Sequence, residues 1–414
     1  MSSVRPLSSP LDEVRAHAAG RRVDGWLLAQ LAARVGNPRL RYALGAAAAG
    51  AEQPLATLRF QDRRALLGLL VDPEVHFGDA YAEGRIEVEG DLLETLETTY
   101  RALEGRRASP LSWLSLLVRH TPGRARDNVH HHYDLGNDFY VEWLDRALVY
   151  TCAYFETPGA SLEEAQVAKM DHVCRKLALR PGEAVAEAGC GWGALARHMA
   201  RRYGVTVTAC NLSREQVAWA RARAAEESLQ DRVRFLEADY RALDGRFDAF
   251  VSVGMLEHVG LRAYRELAQV IDRCLDPSRG RGLLHFIGRA QPRPLNAWIR
   301  RRIFPGAYAP TLDQVMKRVL RPARVVVSDV ENLRRHYALT LAHWRRRYER
   351  SCAQGRVPFD ERFRRTWRLY LAGSQAAFAT GELELFQVTF ARRDDQSLPW
   401  TRAALYEGSR SAAG

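Results

Sequence analysis

Apolar residues recur along this chain at two spacings. Trp26-Leu-Leu-Ala-Gln-Leu-Ala-Ala33 repeats them at helical intervals, and Ala56-Thr-Leu-Arg-Phe60 alternates as a strand does. Phe77-Gly-Asp-Ala-Tyr-Ala-Glu-Gly-Arg-Ile-Glu-Val88 predicts a helix, a turn and a strand, and Asp91-Leu-Leu-Glu-Thr-Leu96 returns to helix. Residues 104–130 are polar and basic, with Pro110, Pro122 and Gly123. They enclose one apolar run, Leu111–Val118, which suits core packing better than a membrane surface. Beyond them, strands and helices alternate. Ser161-Leu-Glu-Glu164 is a capping box opening a helix that runs to Arg180-Pro-Gly182. Val185-Ala-Glu-Ala188 predicts a strand, as do Val205–Ala209, Val233–Leu236 and Phe247–Val253. Ser213-Arg-Glu-Gln216 opens a further helix, and the alternation continues to Ile287. Repeated strand–helix–strand units predict an α/β fold with a doubly wound, Rossmann-like parallel sheet. Residues 290–324 interrupt it with Pro292, Pro294, Pro305 and Pro310, as a lid over a pocket would. A strand at Val325–Val330, helices over 336–350 and 360–380, and a strand at Leu383–Phe390 complete the pattern, without an internal repeat.

These boundaries divide the chain into a flexible 1–20, a smaller, mostly helical α+β domain over 21–119, a linker at 120–130 and a catalytic domain at 131–414. Its 414 residues can bury a substantial core. No apolar stretch spans a bilayer, and the start lacks a secretory apolar segment, so a cytoplasmic protein, soluble or peripheral, is expected. Six cysteines, at 152, 174, 190, 210, 274 and 352, form no Cys-x-x-Cys pair and suit a reducing compartment. The net charge of +12 fits an anionic membrane surface, nucleic acid or merely solvated arginine-rich helices; no nucleic-acid module signature accompanies it.

The stretch from Val185 to Leu195 carries the strongest chemical signal. Gly189-Cys-Gly-Trp-Gly193 lets backbone approach a ligand, and the following helix presents free amides. The Gly-x-Gly-x-Gly spacing, Glu187 before it and Asp239-Tyr240 after the third strand favour S-adenosylmethionine (SAM) over a dinucleotide. Glu187 suits the amino-acid end of SAM and Asp239-Tyr240 the adenine. No acid ends the second strand; Asn211 stands there. Consecutive His130-His-His132 point in different directions, so no metal is expected.

Four further segments are His131-His-Tyr-Asp-Leu-Gly-Asn-Asp-Phe-Tyr140 with Tyr150-Thr-Cys-Ala-Tyr-Phe155, Val251-Ser-Val-Gly-Met-Leu-Glu-His-Val-Gly260, Leu284-His-Phe-Ile-Gly288 and His336-Tyr337. With the glycine turn they resemble the cyclopropane-fatty-acyl-phospholipid synthases and the related mycolic acid cyclopropane synthases, over roughly 77–393. The resemblance implies methyl transfer from SAM to a cis double bond of an acyl chain, followed by proton loss to a bound bicarbonate ion. It implies a bicarbonate site of Cys152, Glu257, His285, Tyr337 and the backbone of Ile287. For SAM it implies Tyr150, Thr151, Gly189, Cys190, Gly191, Gly193, Asn211, Leu212, Ser213, Gln216, Asp239 and Tyr240. Glu187 stands where the family usually has aspartate, and Asn211 where threonine is common.

By residue type alone, Cys152 reads as a small buried apolar group, His285 as a core histidine, and Tyr337 carries no signal. Glu257 lies just past the C-terminal end of a buried strand, where open α/β sheets place ligands. Tyr337 and His285 can donate to an anion, the Ile287 amide adds a dipole, and Glu257 can accept the bicarbonate hydroxyl. Tyr154, Phe155 and Phe304 can line an acyl slot or simply pack. The expected substrate is an unsaturated phospholipid acyl chain. The small domain and basic surface would dock the enzyme on the inner face of the membrane, and relatives imply a homodimer. The alternatives are a methylene or methyl-branched product, the latter with a reductase partner, and, in another class, a methyltransferase of small polar molecules or nucleic acid.

Overall fold

The computed structural model describes residues 10–105, 135–396 and 398–406. Expectations for 1–9, for most of the 104–130 segment and for His130-His-His132 therefore lie outside the described residues. The chain separates into two compact units: Met1–Arg106 with Phe359–Ala376, and Arg107–Pro358 with Ala377–Gly414.

The smaller unit is built on a four-stranded sheet, β1 (Leu40–Leu44), β2 (Ala47–Gly50), β3 (Ala56–Phe60) and β4 (Ile86–Glu89), in the order β2-β1-β3-β4. β3 lies where its alternation places it, whereas β1 and β2 are absent from the expectation. The β2 sequence, Ala-Ala-Ala-Gly, has little strand propensity and is held instead by antiparallel pairing with β1. The first helix, Pro10–Val35, starts within the segment expected to be flexible. Leu28 and Leu31 of that helix pack with Tyr42, Phe60, Leu66 and Ile86 to form the core.

The helix Glu361–Thr380 departs from the expected domain boundary, because residues up to Ala376 belong to this smaller unit. Arg365 explains the attachment. Its guanidinium donates to the carbonyls of Tyr81 (2.6 Å) and Ile86 (3.0 Å), pairs with Glu87, and lies 4.3 Å from the centroid of the Tyr81 ring.

The larger unit carries seven strands: β5 (Ala184–Ala188), β6 (Thr206–Asn211), β7 (Val233–Glu237), β8 (Ala249–Val253), β9 (Arg281–Gly288), β10 (Val326–Asn332) and β11 (Glu384–Ala391). Their order is β10-β11-β9-β8-β5-β6-β7. Strands β9, β8, β5, β6 and β7 pair in parallel, but β11 runs antiparallel to both of its neighbours. The doubly wound, mostly parallel sheet is as expected; the direction of β11 was not, since an apolar run specifies burial and not direction. Both faces are covered: along β8, Phe250 joins one apolar layer while Ala249 and Val251 join the other. The capping box at Ser161 forms as expected, but its helix, Leu162–Lys176, ends four residues short of Arg180. Among the described residues no helix is long and apolar enough to cross a membrane.

Candidate active site

The pocket opens at the C-terminal ends of β5, β6 and β8, where the parallel strands deliver their loops. Two glycines show why the β5 turn needs that residue. Gly193 has φ +76°, and a Cβ there would stand 2.6 Å from the Phe235 ring and 2.8 Å from Ala220. Gly191, at φ +53°, faces open space and lines the pocket, so backbone itself meets whatever binds. The helix Ala194–Tyr203 begins immediately after Gly193.

Glu187, next to last in β5, is buried at the pocket wall. Its Oε2 has no hydrogen-bond partner, and burial pushes its carboxyl up to about 7, against the pull of Lys169 and Arg197. Lys169 emerges from the middle of the helix Leu162–Lys176. Its ammonium donates to Thr151 Oγ1 at 3.0 Å, and burial pushes it down to about 8. At the end of β6, Asn211 donates to Gln216 Oε1 at 2.6 Å, so a neutral amide pair lines this side of the pocket. Asp239 is committed to Arg241, whose amide and guanidinium both donate to it.

A second polar group lies on β9 and on the short helix after β8. His285 and Ile287, two residues apart, share one face of β9, and Glu257 sits in the short helix Leu256–Val259 just after β8. Glu257 Oε1 accepts the Ile287 amide at 2.6 Å, and its other oxygen, Oε2, is buried without a partner. Burial pushes this carboxyl up to about 7, partly offset by that amide bond. His285 is fully buried and pushed well below its usual range, so it stays neutral. Gln387 Nε2 stands 3.0 Å from His285 Nδ1. With the amide donating there, the ring proton is on Nε2, which has no partner. Cys152 is held as a thiol by burial. The next residue's amide, that of Ala153, donates to Thr340 Oγ1 at 3.0 Å, one turn along the helix Arg334–Ala353 from Tyr337. The Tyr337 ring packs edge-on to Trp344 and against Phe378.

The sequence model of a family described as mycolic acid cyclopropane synthetase matches residues 120–388. The chain belongs to that family. This synthetase-family chain is 39% identical over 269 residues to the cyclopropane-fatty-acyl-phospholipid synthase of Escherichia coli K12, covering 64% of this chain and 68% of that one. It is 37% identical over 355 residues to a probable fatty acid methyltransferase of Pseudomonas putida, covering 82% and 89%. In structure it matches mycolic acid cyclopropane synthase CmaA1 complexed with SAH and CTAB, with a TM-score of 0.61 at 30% identity over 66% of this chain and 99% of that one. It is a SAM-dependent methyltransferase.

Of the residues expected to hold SAM, Tyr150, Thr151, Glu187, Gly189, Cys190, Gly191, Asn211, Leu212, Gln216, Asp239 and Tyr240 line the synthetase pocket. Gly193 and Ser213 do not line it; each instead caps the N-terminus of a helix beside it. None of Cys152, Glu257, His285, Ile287 and Tyr337 lines it either. The Ile287 amide, expected to face an anion, is taken by Glu257, whose orientation it fixes. Tyr154 is not free to face an acyl chain on its ring planes. It is stacked between His172 at 4.3 Å and His336 at 4.8 Å. Phe304, from the expected lid, packs edge-on to His258 at 5.6 Å, and its neighbour Pro305 lines the pocket. Lys169 went unrecognised in the sequence. The available signal was a lysine within the buried stripe Leu162, Ala165, Gln166, Met170 and Val173.

Proposed function

We propose that this enzyme transfers the methyl of SAM to a cis double bond of an unsaturated phospholipid acyl chain and closes a cyclopropane ring. SAM supplies an electrophilic sulfonium methyl. The alkene π electrons form the new C–C bond while the C–S bond breaks and sulfur keeps the electron pair. The cation left on the acyl chain then loses a proton from the added methyl, and the C–H electrons close the ring.

The observation that carries this reading is the pair of buried, unpartnered polar atoms, His285 Nε2 and Glu257 Oε2. Each suits one role towards a small oxyanion bearing one hydroxyl: an imidazole N–H can serve an oxygen, and an ionised carboxylate can accept the hydroxyl hydrogen. Neither His285 nor Cys152 makes a good base here. His285 is driven neutral by burial, and the Cys152 thiol is pushed up. Bicarbonate, when bound, would supply the base that accepts the proton. The role of His285 is then to orient it, and that of Glu257 to raise its basicity. Proton loss elsewhere gives a methylene or methyl-branched chain, the second with a reductase partner. The longer match to a protein named a fatty acid methyltransferase favours keeping this second reading.

Expression in a host lacking modified fatty acids, followed by proton NMR of its lipids, separates the outcomes. Upfield ring protons are expected. Vinyl protons at a methylene branch would favour the second reading, and unmodified lipid would overturn both.

A further inference from the structure

The pocket wall holds a buried lysine and a buried glutamate that form no ion pair with each other. Lys169 is 2% exposed, and its one hydrogen bond among the described residues goes to the Thr151 hydroxyl. Glu187, likewise 2% exposed, leaves Oε2 without a partner. No ion pair joins them or links either to another described side chain. A buried ammonium with one neutral partner is costly, and so is a buried carboxylate with none. Both line the same pocket. The nearby Asp145 does not serve as the missing partner, since its two oxygens accept the amides of Ala147 and Val149.

The amino-acid end of SAM carries the matching pair, an α-ammonium and an α-carboxylate. We propose that Lys169 binds the donor's α-carboxylate, while Glu187 takes the α-ammonium. Thr151 accepts one hydrogen from Lys169 and keeps its own hydroxyl hydrogen to donate. Gln166, one turn earlier on the same helix, fixes this arrangement by donating to the carbonyls of Val149 (3.3 Å) and Thr151 (2.9 Å). The assignment rests on SAM as donor and is independent of which lipid product forms.

The test is calorimetric binding of S-adenosylhomocysteine and of its decarboxylated analogue, which keeps the amine. Lys169→Met should weaken the first by about 10–100-fold, as expected for a charge-assisted hydrogen bond. It should change the second by less than about threefold, a loss too small for an ionic contact. Equal loss for both ligands would make Lys169 a merely structural group and overturn the assignment, as would no loss for either. Should the Met variant not fold, Lys169→Gln carries the same comparison. The lipid NMR experiment stands apart, so failure here leaves the product reading intact.

Discussion

Glu257 occupies a position that opposes its own ionisation, and that gives a signed prediction. Its carboxyl is raised from 4.5 to about 7 in the fold by burial, with the Ile287 amide partly compensating. A carboxyl with a raised folded pKa penalises the native state. The penalty is absent below about pH 4.5, grows towards pH 7 and is complete above it. Glu257→Gln can keep the bond from Ile287 through its amide oxygen while losing the charge. The stability of the variant relative to the parent should therefore rise by on the order of 3 kcal/mol between pH 4 and pH 8. Urea denaturation at the two pH values reads this directly. A difference that does not move with pH would mean that the carboxyl is compensated after all. The same variant should lose turnover, which separates the group's chemical value from its structural cost.

At the scale of elements, Arg365 ties the helix Glu361–Thr380 to the smaller unit through two carbonyls, one carboxylate and one ring. Arg365→Ala should destabilise that unit by about 2–4 kcal/mol, because several charge-assisted bonds go at once and leave carbonyls unserved. Hydrogen exchange of the β4 amides should accelerate while β8 is unchanged; unaltered β4 exchange would refute the attachment. The strands β5 to β9 were legible in the sequence because each is a short apolar run between turn signals. So was the glycine turn, whose spacing has few other uses. The direction of β11 was not legible, because antiparallel and parallel strands share one composition when both faces are buried. β2 was hidden by its alanines, which favour helix over strand, although β1, Leu-Arg-Tyr-Ala-Leu, carries a strand's alternation. In the site, residues next to a turn or cap could be found, whereas Lys169 showed only as a lysine at the spacing of an apolar helix stripe. Its burial depends on which way the helix faces, and that is settled by packing with distant strands.

Across the whole molecule, charge and exposed apolar side chains together frame the membrane question. The chain carries +12, and the smaller unit exposes Trp26 at 59% and Val71 at 79%. Proposed docking by this unit predicts co-sedimentation with anionic vesicles that weakens several-fold as ionic strength rises to about 0.5 M. Equal binding to neutral vesicles would remove electrostatics from the account, and Trp26→Ala should weaken binding at any salt. The return of Phe359–Ala376 to the unit begun by the first hundred residues has a consequence for biogenesis. A ribosome delivers the N-terminal portion early, yet its closing helix emerges only after the long intervening enzyme core has been translated. This earlier-made segment thus completes its fold only once Phe359–Ala376 has been translated.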